Sequence, residues 1–419
     1  MDQSTPAGRL SAGLDPRRLT VAFVSEHYPP YLGGLQQQAA QLGAALAARG
    51  HRVTVLTRQD GSGARSETKA GVVVERLGPS SWPPRGASVS RQIVFALAVS
   101  SHLTRHRRGI DAVHFHGASF GAALAAAWCR VLGLPTIAKV SNQHCGEAGL
   151  AGRPLAPIRR ALLRRFGAVV AVSHAIAADL AADGVARHRV VRLPNFVDLD
   201  RFRLPTPVER TVCRRGFWPE WDETAVVVLA AGRLMPHKNV GVLLAALART
   251  PATGPLRMAI AGDGPDRPRL ERLTADLALH DRVRFLGTLD PPDAAYRAAD
   301  LFAQPSRWEG MPNAVLEAAA SGLPVVASRV PGIVDIFGGG EARLVGPDDV
   351  EGWARALGDL GADAEGRAVM GVRAREVIAR RHALPSVVRS YEDLYPRLPL
   401  GGVRAAGPAA RRAVRARRG

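Results

Sequence analysis

The sequence predicts an α/β protein in which two Rossmann-like domains with parallel sheets face each other across a cleft. Short runs of β-branched residues alternate with longer segments rich in Ala and Leu, as expected for repeated βαβ units. This rhythm stops at residues 198–223, which contain three prolines and show no clear periodicity, and then it begins again. The length of 419 residues suits two to three domains of about 150 residues each. We therefore expect two similar domains joined by a linker.

The first half contains seven runs with the composition of strands. They are residues 19–25, 52–57, 72–77, 111–116, 136–140, 168–172 and 190–193. Helical patterns lie between them, for example at 35–49, where Leu and Ala recur every three or four positions and Gly50 follows as a stop signal. The alternation of the two patterns predicts a parallel sheet covered by helices.

The second half repeats this arrangement with six candidate strands. They are residues 225–231, 258–261, 283–286, 301–304, 325–327 and 342–345. Helical patterns at 364–382 and 385–395 close the chain. Ligands of such sheets bind beyond the carboxyl ends of the strands, so two facing domains place the active site in the cleft between them.

These patterns define the domain boundaries that we expect. The regions are a flexible extension at 1–18, a first Rossmann-like domain at 19–205, a second Rossmann-like domain at 206–385, a closing helix at 386–398 and a basic disordered tail at 399–419.

The net charge of +19 comes mainly from the first half and the tail. Residues 1–200 hold 24 Lys and Arg against 12 Asp and Glu, and six Arg follow residue 400. A basic surface can bind nucleic acid, an anionic membrane or a phosphorylated small molecule. Only 5% of the residues are aromatic and no stacking platform accompanies the Arg clusters, which argues against nucleic acid. Peripheral contact with a membrane stays open, through clusters at Arg105, Arg107, Arg108, Arg159, Arg160, Arg164 and Arg165.

Several classes of protein are excluded by composition. Three cysteines are too few for a disulfide framework, and no CxxC pair indicates zinc. The first residues lack the apolar core of a signal peptide, and no run of 18 apolar residues occurs, so we expect a cytoplasmic protein. His114, His116, His144 and Cys145 could lie near one another, but without a clean fourth ligand we expect no metal and no cofactor.

The richest segment for chemistry is 305–324. A predicted strand ends at Gln304, and a predicted helix begins near Pro312, so the backbone N–H groups at the helix start would attract an anion. Glu309 and Glu317 flank this start with seven residues between them. Carboxylates accept charge-assisted hydrogen bonds from sugar hydroxyls. A phosphate at the helix start together with two carboxylates predicts a nucleotide-sugar site.

Two cations follow the first strand of the second half. Arg233 and Lys238 lie in the sequence GRLMPHKN, where that strand ends and the next helix begins. Arg can clamp a diphosphate with two hydrogen bonds, and Lys supplies a point charge. Together they would stabilise the negative charge that develops on a departing phosphate. Both could instead be solvated surface charges, but their place at a carboxyl end favours a functional role.

These motifs resemble the retaining glycosyltransferases of family 4, which have the GT-B fold of two Rossmann-like domains. The resemblance extends over about residues 19–395. The segments that carry it are the Glu309–Glu317 pair, GRLMPHKN (232–239), AGDGP (261–265), YPPYLGG (28–34), DAVHFHG (111–117) and LPNFVD (193–198). Each motif is moderately specific, and their order along the chain makes the combined signal strong.

The resemblance implies a role for each matching residue. Arg233, Lys238, Glu309 and His116 would be catalytic. The donor would be bound by Gly33, Gly34, Arg233, Lys238, Gly264, Leu286, Glu309, Gly310, Met311, Asn313 and Glu317.

Within that set the implied contacts differ. Glu309 would contact the donor sugar and Glu317 the ribose, while Arg233 and Lys238 hold the diphosphate. The turns that contain Gly264 and Leu286 would lie near the base. Gly34 would lie in a flexible loop that approaches the phosphates, and His116 would lie under the reacting face of the sugar.

The sequence thus predicts a retaining glycosyltransferase that transfers a sugar from a UDP- or GDP-linked donor to an acceptor hydroxyl of a glycan, a lipid-linked intermediate or a natural product. No carboxylate of the first half is well placed as a covalent nucleophile; Glu26 and Asp111 are the nearest candidates. We therefore expect the acceptor to attack from the side of the leaving group. The alternatives are a nucleotide-sugar epimerase or phosphorylase-like enzyme of the same fold and, outside the enzymes, a basic nucleic-acid-binding protein.

Overall fold

The computed structural model describes residues 18–30, 33–59, 64–79, 88–141, 161 and 163–400. Two sheets organise these residues. The first has the strand order β3-β4-β2-β1-β5-β6-β7-β8, and every pair is parallel except β3 with β4. Its strands are β1 (Thr20–Ser25), β2 (Arg52–Arg58), β3 (Ser66–Lys69), β4 (Val72–Leu77), β5 (Ala112–His116), β6 (Thr136–Val140), β7 (Ala168–Ala171) and β8 (Val190–Arg192).

The second sheet is parallel throughout and has the order β11-β10-β9-β12-β13-β14. Its strands are β9 (Val226–Ala231), β10 (Leu256–Ala261), β11 (Val283–Gly287), β12 (Leu301–Gln304), β13 (Val325–Ser328) and β14 (Arg343–Val345). All six are close to the predicted runs. The two Rossmann-like domains predicted from the alternating pattern are therefore confirmed.

Helices cover both sheets. They are α1 (Gly34–Ala48), α2 (Ser88–His106), α3 (Phe120–Val131), α4 (His174–Ala182), α5 (Pro207–Phe217), α6 (Gly241–Ala248), α7 (Arg267–Asp276), α8 (Asp293–Ala298), α9 (Asn313–Ala320), α10 (Pro331–Val334), α11 (Val350–Ala362), α12 (Ala364–Arg381) and α13 (Leu384–Leu394). Strand β1 shows why both faces are covered: Val21 and Phe23 pack in the cluster that contains α1, while Ala22 and Val24 pack in the cluster that contains α2 and α3.

The segment 198–223 differs from the prediction because it contains helix α5. Thr206 and Glu209 form a capping box, and Pro207 occupies the first turn, so the helix start is encoded locally. Arg210 and Arg214 both form ion pairs with Asp300, which fixes α5 to the second domain. Its pattern was hard to recognise because α5 buries none of its residues fully, so no run of core residues marks it in the sequence. Strand β3 was missed for the same reason, since all four of its residues are exposed.

The last helix returns to the first domain. The Tyr395 hydroxyl is 2.9 Å from Nδ1 of His114, and Glu392 accepts hydrogen bonds from Arg49 and His51. The chain therefore crosses between the domains twice. The expected extension and tail lie almost wholly outside the described residues, and their disorder stays a prediction. Among the helices that the structure describes, none has the length and apolar character needed to cross a bilayer.

Candidate active site

A surface pocket lies at the carboxyl ends of β9 and β12. The strand order of the second sheet reverses between these two strands, which is where ligands of doubly wound sheets bind. The residues that line the pocket are Ala230, Ala231, Gly232, Arg233, Leu234, Lys238, Val240, Ala303, Gln304 and Pro305. Both predicted cations are thus placed at one pocket, although they are five positions apart in a turn.

Lys238 and Glu309 form an ion pair at this pocket. The Lys238 Nζ is 2.6 Å from Oε1 of Glu309, whose side chain is 8% exposed. The same carboxylate oxygen accepts hydrogen bonds from Ser306 Oγ at 2.7 Å and from Gln304 Nε2 at 3.0 Å. Three donors on one buried oxygen fix the carboxylate and keep its charge satisfied. The sequence assigned these two residues to different parts of the donor, and the structure shows that they contact each other.

Arg233 lies at the same pocket with an exposed side chain. It forms no hydrogen bond or ion pair with the residues that the structure describes. The guanidinium therefore remains available to an anionic ligand. Lys238 already donates one of its N–H groups to Glu309.

The turn before α9 is enclosed by residues of the first domain. A side chain at Gly310 would overlap the carbonyl of Ser141, which explains the glycine. Asn195 donates from Nδ2 to the Met311 carbonyl at 2.8 Å and to Oδ1 of Asn313 at 3.0 Å. Asn313 in turn donates from Nδ2 to the carbonyl of Gly34 at 3.0 Å. Three predicted donor-binding residues therefore lie against the other domain.

The Gly34 contact brings two helix starts together. Gly34 is the first residue of α1 and Asn313 is the first residue of α9, and neither helix has a side-chain cap or an acidic residue in its first turn. Within the described residues no side chain caps their first N–H groups, and such groups favour an anion. The prediction that Gly34 lies in a flexible loop was wrong, because Gly33 is the N-cap and the helix begins directly after it.

Glu317 lies about one turn into α9 and accepts a hydrogen bond from the Tyr296 hydroxyl at 2.8 Å. Burial raises the pKa of the Glu317 carboxyl, and the Tyr296 hydrogen bond opposes the rise. Tyr296 was not predicted, since it comes from α8 and no pattern in the sequence connects the two positions. As the sequence predicted, Glu309 precedes the helix and Glu317 lies on it. Their contacts with a sugar and a ribose stay predictions.

Gly264 and Leu286 do not line the pocket. A side chain at Gly264 would overlap the carbonyl of Leu234, so the turn at 261–265 packs tightly against the turn that carries Arg233. Leu286 is half-buried on β11, the edge strand of the second sheet. Their contact with a base stays a prediction.

His116 ends β5 at the switch point of the first sheet, between β1 and β5. It is buried, its ring stacks on His114 with 4.2 Å between centroids, and neither ring nitrogen has a hydrogen-bond partner among the residues that the structure describes. Burial lowers its pKa well below the usual value, assisted by His114 and Lys139. The neutral ring can donate from one nitrogen and accept at the other. It does not line the pocket of the second domain, and its place under a sugar stays a prediction.

Metal ligands are not assembled in the part of the chain that the structure describes, where no group of three His, Cys, Asp or Glu residues could hold an ion. His144 and Cys145, considered above for such a site, lie outside the described residues.

The fold and the pocket define a two-domain enzyme of the nucleotide-binding α/β class, and comparisons identify its family. A model of the group described as "Glycosyltransferase Family 4" matches residues 32–201, and one described as "Glycosyl transferases group 1" matches residues 225–363. The chain belongs to glycosyltransferase family 4, with the GT-B fold.

Full-length relatives agree with this assignment. The chain is 31% identical, over 84% of its length and 92% of the relative, to the GDP-mannose-dependent alpha-(1-6)-phosphatidylinositol monomannoside mannosyltransferase of Mycolicibacterium smegmatis. It is also 31% identical, over 91% of its length and 94% of the relative, to the D-inositol 3-phosphate glycosyltransferase of Saccharomonospora viridis.

Among solved structures, sucrose-phosphate synthase from Thermosynechococcus elongatus superposes with a TM-score of 0.79 at 23% identity, covering 91% of this chain and 99% of that one. WaaG, a glycosyltransferase involved in lipopolysaccharide biosynthesis, superposes with a TM-score of 0.71 at 21% identity, covering 90% of this chain and 99% of that one. These structures share the fold.

Proposed function

We propose that this glycosyltransferase moves a sugar from a UDP- or GDP-linked donor to an acceptor hydroxyl with retention of the anomeric configuration. The observation that carries the proposal is the Lys238–Glu309 ion pair at the switch-point pocket, with Arg233 unpaired beside it. A diphosphate between Arg233, Lys238 and the start of α9 would put the sugar next to Glu309. The relatives support a glycan or glycolipid product, and one of them is named for GDP-mannose.

The reaction follows from which groups are charged. The acceptor hydroxyl attacks the anomeric carbon from the face that the diphosphate leaves, as the bond to the phosphate oxygen breaks. The departing phosphate oxygen takes the hydroxyl proton, so no side chain needs to act as a base. Arg233 and Lys238 stabilise the charge on that phosphate. His116 is neutral, so it would orient a hydroxyl rather than carry charge.

Product analysis tests the proposal. Purified protein is incubated with UDP- and GDP-sugars and a panel of acceptor alcohols, and the anomeric configuration of the product is read by NMR. Retention supports the proposal, and inversion contradicts it. Donor consumed without acceptor would indicate an epimerase, and a requirement for free phosphate would indicate a phosphorylase.

We also infer that transfer needs no metal. Arg233 and Lys238 occupy the place at the leaving group that a divalent cation would otherwise fill, and each is a donor suited to phosphate oxygens. Activity should be unchanged by EDTA in the assay buffer. A loss that Mg²⁺ or Mn²⁺ restores would contradict this inference.

An anionic membrane is the surface from which we propose that the acceptor is taken. Exposed apolar side chains are concentrated on α2 and α3, which pack together, and basic residues lie at the carboxyl-terminal end of each helix. The apolar set is Val89, Ile93, Val94, Leu97, Trp128 and Val131, and the basic set is Arg105, Arg107, Arg108 and Arg130. Apolar insertion beside cationic groups favours anionic lipid.

Cosedimentation with phosphatidylcholine vesicles, with and without phosphatidylglycerol, tests this surface. Binding should require phosphatidylglycerol and be lost in a Leu97→Glu, Trp128→Ser variant. The matched control is Val208→Glu with Val212→Ser, which alters an equally exposed apolar face on α5 of the second domain. Equal loss of vesicle binding in the two variants would contradict the membrane contact. So would a failure of both the wild-type protein and the control variant to bind the vesicles.

A further inference from the structure

Lys139 is a buried cation on the central strand β6 of the first domain, and the mechanism above does not use it. Its side chain is 1% exposed, and β6 pairs with β5 so that Lys139 lies directly beside His116. Only three of the 56 basic residues in the chain are lysines, at positions 69, 139 and 238. One of these is the pocket lysine Lys238, and another is Lys139, behind the switch point of the other sheet.

No carboxylate among the described residues pairs with Lys139. Its Nζ is 3.4 Å from Oε1 of Gln38 and 5.6 Å from the ring centroid of Phe196. The titratable groups that surround it in the described structure are His114 and His116 on β5, with Tyr391 and Tyr395 against His114. Burial lowers the pKa of Lys139 to about 7. An ammonium group in this setting is stabilised by any anion that comes near.

The surroundings of Lys139 lead to the start of α1. Gln38 lies one turn after Gly34 on α1, and it also bonds to both backbone groups of Phe196, by Nε2 to the carbonyl at 2.7 Å and by Oε1 to the N–H at 3.3 Å. Asn195, the preceding residue, binds the turn before α9. Lys139 therefore lies behind the two joined helix starts at which the diphosphate is expected.

We propose that Lys139 acts as a buried electrostatic residue of the donor site: without touching the donor, it adds positive charge behind the start of α1 and so favours binding of a nucleoside diphosphate. This inference rests on the proposed donor site. Because the ammonium form is disfavoured in the empty protein, part of its charge appears only with the anion. Arg could not respond in this way, since it does not release its proton in proteins.

The linkage has a defined sign. If bound diphosphate raises the pKa of Lys139, binding takes up protons, so affinity is greatest at low pH and falls as pH rises above about 7. A shift of about one unit corresponds to a tenfold change in affinity. The neutral variant Lys139→Met should lack this contribution at every pH.

The experiment is calorimetric titration of the full chain with UDP and with GDP, in two buffers that differ in ionisation enthalpy. The wild-type protein should take up more protons per bound nucleotide than Lys139→Met near pH 7.5, and comparing the two cancels the protons of the nucleotide itself. Affinity of the variant should be about tenfold weaker near pH 6, and the gap should close by about pH 9. Lys139→Gln serves as a second neutral variant.

Thermal unfolding without nucleotide shows whether the variants fold. Since an unpaired buried charge destabilises the native state, Lys139→Met should be at least as stable as wild type, most clearly below pH 7. Nucleotide binding with equal affinity and equal proton uptake in wild type and variants would overturn the role of Lys139 alone. Failure of UDP and GDP to bind the wild-type protein would overturn the donor site itself.

Discussion

In the second domain Lys238 and Glu309 of the candidate site form an ion pair, whereas His116 and Lys139 at the corresponding place in the first domain are buried without an ion-pair partner among the described residues. Lys238 binds Glu309, and Ser306 and Gln304 complete the contacts of that carboxylate. Among the described residues His116 has no partner for either ring nitrogen, and Lys139 contacts one amide oxygen. On the proposed function, the second domain holds its cation in place before the anion binds, and the first domain keeps hydrogen-bonding groups for the ligand.

On the proposed function, this difference between the domains follows from what each of them binds. A diphosphate carries fixed charge, so a cation already held by a carboxylate meets it with little rearrangement. Sugar hydroxyls are neutral and can both donate and accept, which suits a neutral imidazole. The contrast predicts that substitutions in the second domain mainly weaken the stabilisation of charge on the leaving group. Substitutions in the first domain should change the orientation of the sugar and the pH dependence of binding.

The largest effect should come from breaking the ion pair. Lys238→Ala removes a stabiliser of the leaving group and should lower kcat by about 10²–10³. It also leaves Glu309 buried without its cation, so the melting temperature should fall. The control is Arg307→Ala, which breaks an exposed pair with Asp348 near the pocket and should change kcat little. Equal kcat in the Lys238 variant and wild type would contradict the contrast between the domains.

Substitutions of the two stacked histidines should distinguish a residue that orients the substrate from a residue that stabilises the fold. His116→Ala should lower kcat by about tenfold, the effect of one lost hydrogen bond, and its cost in stability should be limited to the cavity left beside His114. His114→Phe should instead leave the Tyr395 hydroxyl unpaired and lower the free energy of unfolding by about 1–3 kcal/mol. Steady-state kinetics and chemical denaturation measure both. A kcat equal to that of wild type in the folded His116→Ala variant would show that its assignment to the site is wrong.

Glu317 should show opposite effects on binding and stability. Burial raises the pKa of its carboxyl, so the ionised form is disfavoured in the folded state. Stability from this group is greatest below its ordinary pKa near 4.5 and is lost as pH rises. Glu317→Gln should therefore raise the melting temperature slightly at pH 7, by about 1–2 °C, and weaken nucleotide binding several-fold. Unchanged affinity would remove Glu317 from the ribose contact; Tyr296→Phe is the control for the lost hydrogen bond.

The smallest effect concerns how α13 is held on the first domain. Burial raises the pKa of Glu392, but hydrogen bonds from Arg49 and His51 outweigh it and the net shift is downward. Its stabilisation is present above about pH 4.5 and is lost as pH falls further. Glu392→Gln should lower the free energy of unfolding by about 1 kcal/mol at pH 7. It should also make the acid limb, the fall of that free energy below about pH 4.5, less steep. An acid limb identical to that of wild type would show that this contact adds nothing.

The sequence predicted those parts of the site that lie close together along the chain. Glu309, Gly310, Asn313 and Glu317 belong to one strand–turn–helix unit, and local signals define its ends. The parallel sheets were predicted because strands that are buried on both faces consist of nearly continuous apolar residues. Elements without such runs were not predicted. All four residues of β3 are exposed, and no residue of α5 is fully buried.

Contacts between distant segments could not be predicted in this way. Asn195 binds the turn before α9, and Gln38 binds both Phe196 and Lys139, yet each of these residues looks ordinary in its own segment. The pairing of Lys238 with Glu309 spans 71 positions. Folding brings these groups together through sheet order, and sheet order depends on packing that a single sequence does not display.

The measurement that tests the central claim most directly is calorimetric titration of wild type and Lys238→Ala with UDP, GDP and ADP. We predict that one nucleoside diphosphate binds the wild-type protein at a single site and that the Lys238 variant loses most of that affinity, whereas Arg307→Ala retains it. Binding that is equally strong in both cation variants, or no binding of any nucleotide by the wild-type protein, would contradict a donor site at the switch point of the second sheet.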